Sequence, residues 1–346
     1  MKRLILIALA LFISACAAPK KEKDAEAYYN RGVAWQKKGD YDRAITDYTK
    51  AIEINPGDAL AYYNRGNAYQ GKGQYERAIS DYNKAIELNP RFAMAYNNRG
   101  GAYLGKGLYD QAISDCNKAI EINPKFAGAY VNRGGAYLGK GLYDQAISDC
   151  NKAIEINPKF AMAYNNRGGA YLLKGQYDQA ISDYTKAIEI NPRYAEAYFN
   201  RGIPYAYKGQ RDKEISDYNK AIEINPRYAE AYFNRGIAYD DKGQYDQAIS
   251  DYNKAIEINP RFAEAYNNRG GAYLGKGLYD QAISDLTKAI EINSRHATAY
   301  NNRGVVCYYK GEYDKAWDDV HKAQNLGYQV HPGFLKLLRE ASGRRE

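Results

Sequence analysis

The chain is poor in the residues on which most catalytic and metal chemistry depends. Its 346 residues hold only three histidines and four cysteines. The histidines, His296, His321 and His331, have no second ligand at helical or hairpin spacing, so no metal centre is expected. No nucleophile stands near a general base, no paired carboxylates mark a pocket and no glycine-rich phosphate loop occurs. These absences leave no basis for an enzyme and no place for a cofactor. Charge of one sign is scarce too: 49 Lys and Arg against 41 Asp and Glu leave a formal net charge of +8, a mild surplus for a nucleic-acid binder. The one long apolar run, the ten residues from Leu4 to Ile13, is too short to span a bilayer as a stable helix.

What the chain has is order. The tripeptide Asn-Arg-Gly occurs nine times, beginning at Asn30, Asn64, Asn98, Asn132, Asn166, Asn200, Asn234, Asn268 and Asn302, always 34 residues apart. An unbroken period of that length signals stacked supersecondary units, with no room for a separate catalytic domain. The copy from Ala229 to Phe262 shows the plan. Tyr232, Gly236 and Tyr239, then Ala248, Tyr252 and Ala255, fall at helical spacing and predict two amphipathic helices. Lys242-Gly243 ends the first, because glycine tolerates a left-handed cap. Pro260, after Asn259, ends the second. Gly236 sits in mid-helix at a cost of about 1 kcal/mol relative to alanine. The expected reason is close approach to Ala248, with Tyr232, Tyr239, Tyr245 and Tyr252 packed around the contact. The 37 tyrosines therefore read as core.

Those positions resemble the tetratricopeptide repeat family, whose pattern of Gly, aromatic, Ala, aromatic, Ala and Pro is matched by Gly236, Tyr239, Ala248, Tyr252, Ala255 and Pro260. The resemblance implies an all-α fold: a right-handed superhelical solenoid of nine helical hairpins over residues 25–327, closed by a capping helix and tail over 328–346. It also implies a scaffold on which many kinds of partner are placed. Tyr232 stands where the family often has Trp, and Arg235 where it usually has Leu. Each such arginine is followed sixteen residues later by an aspartate, from Arg31 and Asp47 to Arg303 and Asp319. A partly buried ion pair is expected in every repeat, on the same or a neighbouring second helix; a solvated charge stripe is the alternative.

At the N-terminus, Lys2 and Arg3 precede the apolar run and small residues follow it, the pattern of a secretory signal. Ile13-Ser14-Ala15-Cys16 resembles the bacterial lipobox, which implies cleavage before Cys16 and acylation of that cysteine. Ordinary cleavage at nearby small residues is the alternative. Residues 1–15 then form a lipoprotein signal peptide and 16–24 a lipidated tether, and loss of Lys2 and Arg3 lowers the charge to +6. Ala17 resembles the outer-membrane sorting preference, which implies an anchored protein in the bacterial envelope facing the periplasm. Cys116 and Cys150 occupy the same position in adjacent repeats. Like helices there stand about 8–10 Å apart, whereas a disulfide needs Cα atoms within about 7 Å. With Cys307 they should be free and buried.

Stacked hairpins of this kind place their first helices along a concave inner face. The nine asparagines would then form a file of amides able to hydrogen-bond a peptide backbone without reading its side chains, which resembles the asparagine ladder in the repeats of O-linked N-acetylglucosamine transferase. The alternative is that each Asn satisfies a neighbouring helix. Doubled glycines at Gly100-Gly101, Gly134-Gly135, Gly168-Gly169 and Gly270-Gly271 would open the groove floor to a close backbone approach, with Leu104, Leu138, Leu172 and Leu274 adding apolar patches; copying by recent repeat duplication is the other account. The lysines of a terminal-carboxylate clamp are absent. Repeat six departs from the pattern with Pro204, Arg211 and Glu214, so a distortion or hinge is expected over Ile203 to Glu214. Pro332 to Ala341 reads as the capping helix. The reading is a non-enzymatic, membrane-anchored scaffold or adaptor that binds an extended peptide or partner protein and takes no small-molecule substrate. By resemblance to tetratricopeptide lipoproteins, it would serve envelope assembly, secretion or pilus biogenesis. A nucleic-acid-binding helical repeat protein is the alternative.

Overall fold

The computed structural model describes residues 22–344, and within them regular secondary structure is helical throughout. The expected signal peptide, Cys16 and the expected tether up to residue 21 lie outside the described residues. Two compact units divide between Asp183 and Tyr184. In the first, helices pair as α1 (residues 22–37) with α2 (Tyr41–Ile54), α3 (Ala59–Gly71) with α4 (Tyr75–Leu88), α5 (Ala93–Gly105) with α6 (Tyr109–Ile122) and α7 (Ala127–Gly139) with α8 (Tyr143–Ile156), followed by α9 (Ala161–Leu173). Helix α10 (Tyr177–Ile190) contains the boundary. The second unit pairs α11 (Ala195–Tyr207) with α12 (Arg211–Ile224), α13 (Ala229–Asp241) with α14 (Tyr245–Ile258), α15 (Ala263–Gly275) with α16 (Tyr279–Ile292) and α17 (Ala297–Tyr309) with α18 (Tyr313–Asn325), and ends in α19 (Pro332–Ser342).

The hairpins end where the sequence says they must. Gly243 takes φ 69°, and the following Gln244 N–H reaches back to the Tyr239 carbonyl at 2.9 Å, closing α13. At the end of α14, Asn259 donates its backbone N–H to Ala255, and its side chain accepts from Arg261 N–H at 3.1 Å. The seam is tighter than an approach of two small residues. A Cβ on Gly236 would lie 2.6 Å from the Tyr252 ring, so the glycine makes room chiefly for that buried ring. Where Cys116, Leu286 or Val320 replaces the ring, the backbone carbonyl of the seam alanine comes within 3.2–3.3 Å of the same place. Glycine also serves between repeats: a Cβ on Gly71, Gly105 or Gly139 would strike the ring of Tyr41, Tyr75 or Tyr109 from the preceding hairpin.

Every Arg-Asp pair of the ladder forms within its own hairpin. Arg133 is typical: its Nε and Nη2 donate to the two oxygens of Asp149 at 2.7 Å each, and its Nη1 donates to Asn117 of the preceding second helix at 2.6 Å. The guanidinium also lies over the ring of Tyr130, 5.5 Å from its centroid. The pair is 19% and 9% exposed, so the solvated stripe is excluded. Its third arm was not anticipated, and it makes the arginine a tie between adjacent repeats as well as within one.

Cys116, Cys150 and Cys307 are free and buried. Burial pushes the first two thiols up to about 12, which keeps them protonated and inert near neutral pH. At the C-terminus, His331 caps α19 by accepting from Gly333 N–H, and Leu338 is fully buried against a cluster that includes Trp317, Val320 and Val330.

Candidate interaction face

First helices lie beside one another within each unit, α5 next to α7 and α7 next to α9, and likewise α13 next to α15 and α15 next to α17. On α5, Met94, Asn98, Gly101 and Gly105 follow one another at intervals of four, three and four, and so share a stripe. The doubled glycine lies on the face that carries the amides: a Cβ on Gly101 would sit 3.5 Å from Gln70 Nε2 on one side and 3.5 Å from Asn132 Nδ2 on the other. One on Gly135 would meet Leu104 at 3.1 Å, and one on Gly271 would meet nothing within 4 Å.

The nine asparagines do not form a uniform file. Asn30 is exposed, and the other eight are half-buried. Several tie adjacent first helices together. Asn64 donates to the Tyr29 hydroxyl at 2.8 Å. Asn98 donates to Tyr63 and to Asn67 at 2.9 and 2.8 Å and accepts from Asn97. Asn132 donates to Asn97, Asn302 to Asn267, and Asn166 more weakly to the Val131 carbonyl at 3.4 Å. Asn268 accepts from Asn267. Asn234 makes no side-chain hydrogen bond among the described residues, because Phe199 stands where Tyr29 and Tyr63 offer a hydroxyl. Asn200 is half-buried and engaged. The amides are therefore inter-repeat ties first, with spare hydrogen-bonding capacity that varies along the face.

The two units present different chemistry. In the first, Leu60, Met94 and Met162, each four residues before a ladder asparagine, are 49%, 47% and 44% exposed, while Leu104, Leu138 and Leu172 are half-buried. Sequence reasoning singled out the half-buried set and missed the exposed one, although the spacing to the asparagines was there to find. In the second unit the equivalent positions are Glu196, Glu230, Glu264 and Thr298, all exposed.

Repeat six is unusual in its chemistry, and its backbone is regular. Helix α11 runs unbroken through Pro204, which corrects the expected distortion there, and the units divide earlier, at Asp183. Glu214 is 2% exposed and accepts from Arg211 at 2.7 Å, and Arg211 also pairs with Asp241. Asp241 takes the place of the glycine that elsewhere accepts a tyrosine ring from the preceding repeat, just as Arg211 takes the place of that tyrosine. A ring-on-glycine contact has thus become an ion pair. Sequence reasoning paired Arg211 with Glu214 but missed Asp241.

A tetratricopeptide repeat model matches residues 25–58, 59–92, 93–126, 127–160, 161–194, 229–262 and 263–296, and a second TPR repeat model matches 205–242. The chain belongs to the tetratricopeptide repeat family. Repeat six, with its altered residues, is the stretch where the first model lapses between matched copies. The chain is similar in structure to the APC/C hetero-tetramer Cut9–Hcn1, at 17% identity over 92% of this chain and 76% of that one with a TM-score of 0.61. It is also similar to a tetratricopeptide repeat protein from Parabacteroides merdae, at 22% identity over 68% and 94% with a TM-score of 0.56. At these identities the likeness shows the fold alone. No curated protein matches the sequence. As a tetratricopeptide repeat protein, the chain is a scaffold for protein–protein interaction.

Proposed function

We propose that the first-helix face receives an extended segment of a partner protein, and that the scaffold is held in a bacterial envelope by acylation of Cys16, facing the periplasm at the outer membrane. The tasks open to such an adaptor are envelope assembly, secretion and pilus biogenesis. The observation that carries the binding reading is the placement of the doubled glycines. Each extra glycine costs its helix about 1 kcal/mol, and Gly101 spends that cost on the stripe it shares with Asn98, between side chains of both neighbouring repeats. A missing Cβ at that place lets a peptide backbone come close enough to use the spare donors and acceptors of the amides. Apolar Leu60, Met94 and Met162 supply contact area alongside. The anchor rests on the leader and on Ser14-Ala15-Cys16.

The test compares three forms of the full chain as baits in envelope extract: wild type, an Asn98→Ala, Asn132→Ala, Asn166→Ala variant, and a Lys118→Ala, Lys152→Ala variant altered on the second helices. Melting curves are recorded for each, because the asparagines also tie helices together. The expected outcome is a set of partners shared by wild type and the lysine variant and lost from a folded asparagine variant. Identical catches from all three would remove the first-helix face as the binding surface.

A further inference from the structure

Within the second unit, repeats six and seven enclose a cavity of about 460 Å3 that opens on the first-helix face. Its origin lies in the substitutions of repeat six. Position 206 is alanine, where repeats three, four, five and eight carry Leu104, Leu138, Leu172 and Leu274, so the space those side chains fill is empty. The same substitution strands a hydroxyl. In the first two repeats the buried second-helix tyrosines, Tyr48 and Tyr82, donate to Gln36 and Gln70 at 2.8 and 2.7 Å. In repeats three, four and eight the hydroxyl and its acceptor are lost together, as Cys116 with Leu104, Cys150 with Leu138 and Leu286 with Leu274. Repeat five keeps Tyr184 with Leu172 at the acceptor position, and that tyrosine is engaged elsewhere; repeat six keeps Tyr218 with Ala206 there. Tyr218 is 2% exposed, its ring lines the cavity, and its hydroxyl has no partner among the described residues. Tyr252 in the next repeat also lacks a partner, but its hydroxyl is enclosed by protein and does not reach this cavity.

The remaining walls are polar and acidic. Asn234, a ladder amide without a side-chain hydrogen bond among the described residues, lines the cavity beside Asp241, Arg211 and Glu214. Arg211 is spent on two carboxylates, leaving one negative charge in surplus. Burial lifts the Glu214 carboxyl above its usual range, and neighbouring Asp241 adds to the rise while Arg211 opposes it, so the acids crowd one another. The surrounding face has the same sign. Helices α11, α13 and α15 carry Glu196, Glu230, Asp240, Asp241 and Glu264, and their only basic residues are Arg201, Arg235 and Arg269. Those three are bound to Asp217, Asp251 and Asp285.

We infer that this cavity is a specificity pocket for a basic side chain, lysine or arginine, of the polypeptide bound along the face, an inference that rests on the proposed binding of extended segments. The Asp241 carboxylate, the Asn234 carbonyl oxygen and the Tyr218 hydroxyl oxygen supply three acceptors for a cationic head group. The volume vacated at Ala206 accommodates its aliphatic stem, and the acidic residues of helices α11, α13 and α15 favour its approach.

The experiment measures fluorescence anisotropy of the full chain with short, extended Gly-Ser-Thr peptides that differ at one central residue: lysine, norleucine or glutamate. The lysine peptide is expected to bind about tenfold more tightly than the norleucine peptide. Asp241→Asn should erase that preference while the norleucine affinity stays put, and Ala206→Leu, which fills the space the aliphatic stem needs, should erase it while weakening both peptides. Tyr218→Phe, which removes an unpartnered hydroxyl and so leaves folding intact, should reduce the preference. Equal binding of lysine and norleucine peptides, tighter binding of the glutamate peptide, or a lysine preference that survives Asp241→Asn and Tyr218→Phe would each overturn the pocket and leave the binding face standing. Failure of all three peptides to bind would overturn both.

Discussion

Asp149→Ala is expected to destabilise the repeats around it by about 3–5 kcal/mol, the range for removing one partner of a buried ion pair. The cost is large because of what stays behind. Arg133 keeps its charge, 19% exposed, with its Nη1 held by Asn117 and its plane over Tyr130, so it cannot swing into water without breaking the tie to the preceding hairpin. A repeat array unfolds through nearest-neighbour steps, so the loss is best read as faster amide hydrogen exchange in α7 and α8, with a lowered thermal midpoint beside it. Adding Arg133→Leu should recover much of the loss, since an apolar pair of similar volume replaces a buried charge pair at little cost. Leucine is also the residue that the family usually carries there. The exposed pair Lys140–Asp110, 35% and 80% exposed, serves as the control: Asp110→Ala should leave the melt unchanged, as surface pairs contribute little. A melt for Asp149→Ala within wild-type error would show that the ladder carries no stability.

Cys16→Ser is expected to move the protein from the membrane pellet to the soluble fraction. A diacylglyceryl thioether with an amide-linked chain provides the multiple hydrocarbon anchors that stable attachment requires, at about 0.8 kcal/mol per buried methylene, whereas a single chain binds only marginally. The lysines of the proposed tether, Lys20, Lys21 and Lys23, would add only a salt-sensitive attraction to acidic lipid. The measurement is fractionation with a high-salt wash, together with metabolic labelling by a fatty acid. Retention of the unlabelled serine variant in the washed pellet would contradict the anchor.

The parts of this molecule that were legible in its sequence are those fixed within one hairpin. A period of 34 residues, a glycine in each turn and a proline after each of the first seven second helices determine where helices start and stop. The spacing of sixteen between Arg235 and Asp251 spans one turn and brings both to the same hairpin seam. Contacts between repeats were harder to read, because they depend on how one hairpin rotates on the next, which the period does not encode. Hence the third arm of Arg133 to Asn117, the Asn64 tie to Tyr29 and the Tyr41 ring over Gly71 came only from the structure. One such link had left a trace. Tyr48 and Tyr82 occur with Gln36 and Gln70, and Cys116, Cys150 and Leu286 with Leu104, Leu138 and Leu274, an exchange of a hydrogen-bonded pair for an apolar one that those five repeats display, although repeats five to seven do not. Repeat six showed its oddity at Pro204, the least consequential of its substitutions, since helix α11 absorbs it without breaking.

Gly271→Ala isolates the central claim that the first-helix face admits a peptide backbone. A Cβ at Gly271 meets nothing within 4 Å, so inside the protein the change removes only the helical penalty of glycine. It should raise stability by about 1 kcal/mol. If the open floor is where a partner's backbone lies, the same methyl must weaken binding of the norleucine peptide, by about tenfold on the scale where 1.4 kcal/mol is one decade. The account predicts a more stable protein that binds less. A more stable protein with undiminished affinity would contradict it.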